Sequence, residues 1–153
     1  MNDKETERKI KYGRIIWRSL VIIAVIAASF SFYLERKADE AFLLSPLSME
    51  NVLGEMSEKT ELSYDNAHSE GSSFPLDNQL LELFRQESWR RRKQASPLES
   101  IPDLRIYMEP DFHLSFYLDE NLLMIYNEKA EGKYSFYLLR ENFYRWLTFY
   151  FEI

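Results

Sequence analysis

The chain has 153 residues, of which 46% are hydrophobic and 16% aromatic, so it is a folded protein rather than a low-complexity chain. Its formal net charge is −6, and residues 19–153 carry 22 acids against 13 Lys or Arg, a balance that argues against nucleic-acid binding. The sequence has no cysteine, which excludes disulfides, thiol nucleophiles and lipid attachment to an N-terminal cysteine.

A long apolar segment is the first predicted element. Residues 19–34 read SLVIIAVIAASFSFYL without a charge, and four more residues on the N-terminal side add only the charge of Arg18. Twenty helical residues span about 30 Å, the thickness of a bilayer's hydrocarbon core. Trp17 and Tyr33 lie at the two ends, where aromatic side chains prefer the interface, and Arg18 can extend its charge to the headgroups. The sequence therefore predicts a transmembrane helix over residues 15–34.

The charge on either side of this segment predicts its direction. Residues 1–18 hold six Lys or Arg against three acids, whereas the ERKADE sequence that follows the segment is mixed. Because positive flanks stay inside, a basic tail over residues 1–14 is expected in the cytoplasm and the C-terminal domain outside the cell membrane. One alternative is a signal peptide cleaved near the small residues 27–29, which leaves a secreted domain. The other is a buried core helix.

Residues 35–47 are predicted to form a stalk that continues the helix as far as Pro46. Two short strands are expected next, over Met49–Met56 and Glu61–Tyr64. Residues 65–75 are dense in turn formers and are predicted to be a loop.

A helix is predicted after this loop. Asp77 suits the N-cap, and Leu76 and Leu81 stand at the positions of a hydrophobic staple. The apolar face of this helix would carry Leu80, Leu81, Phe84 and Ser88. Its C-terminal end is placed at WRRRK, residues 89–93, because cations suit the negative end of a helix dipole.

From Leu104 onward apolar residues alternate with polar ones, which is typical of strands. Short polar turns separate four predicted strands, in the regions 104–108, 112–118, 122–126 and 133–139, which indicates an antiparallel meander. The final segment carries Phe143, Trp146, Leu147 and Tyr150 at helical spacing. It is therefore predicted to be a helix lying across the sheet, with a fifth strand over Thr148–Ile153 as the alternative.

The predicted fold class is α+β: an N-terminal transmembrane helix, followed over residues 48–153 by an antiparallel β-meander packed with two helices. This arrangement, closing on YSFYLLRENFYRWL, resembles small single-pass exported α+β proteins of unknown function from Gram-positive bacteria. The resemblance covers residues 77–153 at the level of pattern, and it implies a bacterial, extracytoplasmic domain. It transfers no functional residues.

Catalytic and metal-binding patterns are weak in this sequence. His68 and His113 stand alone, whereas zinc needs three or four converging ligands. The carboxylates cluster in predicted turns, where solvation keeps them from the raised pKa that a general acid needs. We therefore expect no catalytic residue, metal or cofactor, and a protein that is not an enzyme.

Two surfaces are candidate binding sites. The first is a possible anion patch formed by Arg90, Arg91, Arg92 and Lys93. The second is a possible interface on the sheet face away from the helices, where Tyr107, Tyr117 and Tyr137 are expected beside Leu123, Ile125 and Leu139. Coverage of that face by residues 48–64 is the alternative.

These features predict a membrane-anchored, extracytoplasmic interaction module. Its expected partners are the lipid bilayer itself and an envelope protein or polymer. A sensor or carrier of an envelope polyanion, acting through residues 90–93, is the alternative function.

Overall fold

The computed structural model describes the backbone of residues 3–93 and 96–153, with side chains from Tyr12 onward. The chain divides into two compact units, Met1–Ala41 and Phe42–Ile153. The side chains of the predicted basic tail before Tyr12 lie outside the described residues.

The first unit consists of one long helix, α1. This helix runs from Asp3 to Leu43, so its last two residues already belong to the second unit. Its stretch Tyr12–Leu43 is long and apolar enough to cross a membrane. Every side chain of α1 from Tyr12 to Ala41 is exposed, so the alternative of a buried core helix is wrong. An apolar helix of this length with no polar face is suited to lipid rather than to water.

The second unit is built on one antiparallel sheet of seven strands, in the spatial order β2-β1-β4-β5-β6-β7-β3. The predicted meander is confirmed as β4 (Leu104–Glu109), β5 (Phe112–Tyr117), β6 (Leu122–Asn127) and β7 (Tyr134–Leu138). Three further strands extend it: β1 (Glu61–Asn66), β2 (Ser69–Pro75) and β3 (Arg90–Arg92).

Three helices cover one face of this sheet: α2 (Met49–Ser57), α3 (Asn78–Gln86) and α4 (Glu141–Phe151). Their buried side chains form one core with the inward residues of the sheet. Phe84 of α3 lies at its centre, with ring centroids 5.0 Å from Phe143 of α4 and 6.4 Å from Phe116 of β5. The α+β class with an N-terminal apolar helix is thus confirmed, and a third helix joins the two that were predicted.

The prediction of a strand over Met49–Met56 is wrong, because this segment is helix α2. Ser48 caps it by accepting a hydrogen bond from the Asn51 backbone N–H, and Met49, Val52 and Met56 are buried at helical spacing. Gly54 lies inside this helix, and a Cβ placed there would meet no atom within 4 Å. Glycine inside a helix costs about 1 kcal/mol relative to alanine, so α2 carries a destabilising residue that its own packing does not require.

The segment after α1 is fixed to the sheet through two buried hydrogen bonds. The Ser135 hydroxyl donates to the Leu47 carbonyl at 2.7 Å, and the Met49 backbone N–H donates to the Tyr137 hydroxyl at 2.9 Å. Phe42 and Leu47, from the segment predicted as a stalk, therefore pack with the domain.

The loop predicted over residues 65–75 is also wrong, since most of it forms β2 and pairs with β1 as a hairpin. Helix α3 begins as predicted at its Asp77 cap, where the carboxylate accepts from the Leu80 N–H at 2.7 Å. It ends at Gln86, so the prediction that WRRRK completes this helix is wrong: Arg90–Arg92 form the edge strand β3. The final segment is helix α4, as predicted, rather than a fifth strand.

Candidate functional site

The sheet face opposite the helices, here called the second face, carries a row of aromatic side chains. Tyr107, His113, Tyr126 and Tyr134 are register partners across β4, β5, β6 and β7, so their side chains point to the same side. His113 stacks on Tyr126 with centroids 5.0 Å apart and lies 5.6 Å from Tyr107. All four side chains are half-buried and so reach solvent. We call them the aromatic row.

A polar network holds one end of the aromatic row in place. The Tyr107 hydroxyl donates to the Asp65 carboxylate at 2.6 Å, and that carboxylate also accepts from the Gly71 backbone N–H at 2.7 Å. Arg105 donates to the Ser115 hydroxyl at 3.3 Å and to the Tyr107 hydroxyl at 3.4 Å. The network joins β1, β2, β4 and β5, so the orientation of Tyr107 is fixed by the fold.

This network shifts the protonation equilibria of both its acidic members. The bond from the Gly71 N–H, followed by that from the Tyr107 hydroxyl, lowers the pKa of Asp65. Burial, followed by the bond to Asp65, raises the pKa of Tyr107. Asp65 is therefore a carboxylate and Tyr107 a neutral donor at neutral pH.

His113 occupies the middle of the aromatic row as a neutral imidazole. Burial, with a smaller contribution from the charge of Arg105, lowers the pKa of His113 to about 4. Its Nδ1 atom is buried and has no hydrogen-bond partner among the described residues. An additional positive charge on this face is therefore costly.

We expect His113 to make the domain sensitive to acid. The unfolded chain takes up the imidazole proton below pH 6.5, whereas the folded chain resists it down to about pH 4, so stability falls as pH falls through this window. This linkage corresponds to a loss of about 2 kcal/mol in the free energy of unfolding between pH 7 and pH 5. His113→Phe keeps a ring at this position and should remove that loss, which urea unfolding of the full-length chain in detergent measures at both pH values.

The matched control for this experiment is His68→Phe, at an exposed histidine of the β1–β2 connection. We expect this variant to lose as much stability between the two pH values as the parent chain. Equal acid losses in the parent and in His113→Phe would contradict the assignment to His113.

The three tyrosines of the predicted interface do not share one face. Tyr107 and Tyr117 lie on the second face, but Tyr137 is a register partner of Leu123, which pairs with Phe116 in the helix-covered core. The prediction is therefore wrong for Tyr137, and equally for Leu123, Ile125 and Leu139. Tyr117 is only 3% exposed, so of the three only Tyr107 reaches the surface of this face.

The second face is covered in part, but not by residues 48–64, as the alternative held. Tyr117, Leu122, Met124 and Phe136 form a separate buried cluster against which Leu98 packs. Leu98 belongs to the connection between β3 and β4, whose residues 94–95 lie outside the described part of the chain. Outside this covered cluster, the aromatic row stays accessible.

The arginine cluster is divided by the alternation of strand β3. Arg91 pairs in register with Tyr137 and so lies on the helix-covered side, where its guanidinium is 3.4 Å from the ring centroid of Phe42. Arg90 and Arg92 point to the other side of the sheet, and Lys93 follows the strand. All four side chains are exposed. The four residues therefore do not form the single anion patch that was predicted. Their positive charges lie on both sides of one edge of the sheet.

The predicted anchor residues lie on helix α1. Trp17 is 68% exposed and Tyr33 53% exposed, and Arg18 is exposed beside Trp17. Tyr33 also contacts the Lys37 ammonium, which lies 5.5 Å from its ring centroid. An aromatic ring paired with a cation is well suited to the headgroup region of a bilayer.

Sequence reasoning missed Asp65, because the segment that contains it was predicted to be a loop. The sequence did contain a signal for a hairpin. Leu62 and Tyr64 before the turn, and Ser72 and Phe74 after it, are each two residues apart, the spacing of side chains on one face of a strand. The hairpin that this alternation forms brings Asp65 to Tyr107. Comparisons with family models, with curated proteins and with solved structures found no match to the chain.

Proposed function

We propose that this chain is a membrane-anchored interaction module whose C-terminal domain contacts an envelope partner outside the cytoplasm through the aromatic row. The observation that carries this proposal is the accessible row of four rings held in register, one end of which is fixed by the Asp65–Tyr107 bond. Aromatic side chains that are already ordered lose little entropy on binding and are frequent energetic centres of interfaces.

The anchor part of the proposal is supported by α1 and its flanks. One helix is long and apolar enough to cross a membrane, and the basic residues lie before it. Positive-inside bias favours a cytoplasmic N-terminus and an extracytoplasmic domain. This topology agrees with the resemblance to exported proteins of Gram-positive bacteria, which is part of the same proposal.

A binding role, rather than a catalytic one, is supported by the chemistry of the second face. Its histidine is neutral, its Asp65 carboxylate already accepts two hydrogen bonds, and its tyrosine hydroxyl donates to that carboxylate. Groups fixed in this way can position a partner, but their pKa values are shifted away from neutrality, whereas proton transfer is most efficient when the pKa lies near the operating pH.

The partner surface is tested by cross-linking in intact cells. Tyr126→Ala combined with Tyr134→Ala removes two half-buried rings from the row, and we expect it to abolish the main cross-linked product of the wild-type chain. The matched control, Tyr144→Ala, removes a half-buried tyrosine from helix α4 and should keep that product. A product that survives the double replacement would remove the aromatic row from the proposal.

Topology is tested separately by protease treatment of intact cells that express the chain with a tag at each end. We expect the C-terminal tag to be digested and the N-terminal tag to be protected. Protection of both tags would contradict an extracytoplasmic domain.

A further inference from the structure

On the helix-covered side, between α2 and the end of α3, the domain has an open groove of about 500 Å³. Its apolar lining comes from Leu43, Met49, Leu53, Gly54, Trp89 and Tyr137. This volume falls within the range of small-molecule sites, about 300–1,000 Å³, and the apolar lining is typical of them. None of these residues belongs to the aromatic row.

Gly54 lines the groove, at a position where a side chain would have room. Because a Cβ there would meet no atom within 4 Å, the absence of a side chain is not required by the packing of α2. Glycine is unfavourable inside a helix, and any larger side chain at this position would occupy the groove. The empty volume of the groove therefore lies at Gly54, a residue type that destabilises helix α2.

The polar groups at the groove are arranged around its apolar floor. The Trp89 indole N–H donates to the Phe84 carbonyl at 2.8 Å, so its hydrogen bond is already made and its ring presents apolar surface. The Tyr137 hydroxyl accepts from the Met49 N–H. Both rings are thus held in fixed positions.

One cation lines the groove and a second lies near it, although the domain as a whole is acidic. Arg85 lines it, and its ion pair with Glu82 is exposed and hence weak. Arg91 is the register partner of Tyr137 and is close enough for its charge to act on the Tyr137 hydroxyl. One acid, Glu50, also lies in the lining.

The chain itself brings this groove near lipid. Leu43, which lines the groove, is the last residue of α1 and follows the end of the predicted span by nine residues. Nine helical residues cover only about 14 Å, roughly twice the thickness of one headgroup layer. An apolar groove with a basic rim, tethered at this distance, matches a molecule with a hydrocarbon tail and a negative head.

We infer that the groove binds one acyl chain of an anionic phospholipid from the anchoring bilayer, with the lipid phosphate beside Arg85 and Arg91. The inference rests on the anchoring proposed above but not on the aromatic row. It gives the domain a lipid-binding site that is independent of its protein partner.

Quenching of Trp89 fluorescence by brominated lipid tests the occupant. The full-length chain carrying Trp17→Phe and Trp146→Phe retains Trp89 as its only tryptophan. It is placed in phosphatidylcholine nanodiscs that contain increasing fractions of phosphatidylglycerol brominated midway along its acyl chains. We expect saturable quenching, because bromine in the groove contacts the indole.

Gly54→Leu fills the groove and should abolish this quenching. The control Glu55→Leu adds the same side chain at the next residue of α2, which is exposed and does not line the groove, and should leave quenching unchanged. Quenching that persists in Gly54→Leu would show proximity to the bilayer surface alone and overturn the inference. A Trp89 that is never quenched in discs containing the chain would also overturn the inference.

The negative head is tested in the same assay. Replacing both Arg85 and Arg91 with Gln should raise the half-saturating phosphatidylglycerol fraction by about fivefold for each cation, since one cation near an anionic surface contributes about 1 kcal/mol. Equal half-saturation by brominated phosphatidylcholine would overturn the preference for an anionic lipid. A chain that fails to enter the discs would contradict the anchoring itself, and this result is distinct from an unquenched Trp89.

Discussion

Phe84→Ala should lower the free energy of unfolding of the domain by about 3–5 kcal/mol, the usual cost of removing a fully buried phenylalanine ring. Phe84 has no exposed surface, and its ring contacts those of Phe116, Trp89 and Phe143. It thereby joins α3, α4 and the sheet at one point. Alanine would leave a cavity between these elements that none of them can fill without moving the others.

Urea unfolding of the full-length chain in detergent, followed by circular dichroism, measures this loss. The matched control is Phe149→Ala, because Phe149 lies on α4 but is 85% exposed, and its loss should stay within about 0.5 kcal/mol. Similar losses for the two variants would contradict the central position of Phe84 in the core.

Two arginines in the middle of α1 should remove the chain from the membrane. Ile23→Arg combined with Ile26→Arg places two charges near the centre of the apolar stretch, where each costs about 3 kcal/mol of insertion free energy. The sum exceeds what the remaining apolar residues are expected to offset. We expect the wild-type chain in the membrane fraction that resists alkaline carbonate, and we expect the variant to be absent from that fraction.

Ile23→Leu combined with Ile26→Leu is the matched control, because it changes the same residues and keeps their hydrophobicity. It should remain in the carbonate-resistant fraction. Full retention of the double arginine variant in that fraction would contradict a membrane-spanning α1.

The meander could be predicted because its strands alternate cleanly. In β4 the inward residues Leu104, Ile106 and Met108 are separated by Arg105 and Tyr107, and the sheet has that alternation. The cap at Asp77 and the helical spacing of Phe143 and Leu147 were equally local signals. Each of these features is determined by neighbours within one turn or one strand.

The face of Tyr137 could not be predicted in this way. Successive side chains of a strand alternate, so the assignment of a whole strand depends on how many residues the preceding turn contains. In the β5–β6 turn, Asn121 adopts a positive φ of 53°, and Tyr117 pairs with Leu122. Leu123 therefore faces the helices, and Tyr137 follows it. One residue in the turn changes the face of the two strands after it.

The arginine cluster and α2 were mispredicted because tertiary contacts override local preference. Three arginines after an amphipathic helix suit its dipole, yet pairing with β7 draws them into a strand. Met49–Met56 has no polar alternation, and burial of Val52 and Met56 against the sheet decides for a helix. The aromatic row is likewise formed by pairing between distant strands. Its four residues could be read from the sequence, but their alignment across the sheet could not be predicted from it.

If α1 anchors the chain as proposed, the basic edge of the sheet affects how copies of this protein interact within one membrane. Proteins tethered to a bilayer diffuse in two dimensions and collide more often than they would in free solution, which makes any open strand a template for sideways polymerisation. If two copies met through β3 in antiparallel fashion, Arg90 of one would lie against Arg92 of the other, and guanidinium repulsion would oppose the pairing. The three adjacent arginines are unfavourable within one molecule, but the repulsion between them opposes edge-to-edge pairing when many copies of the domain are close together.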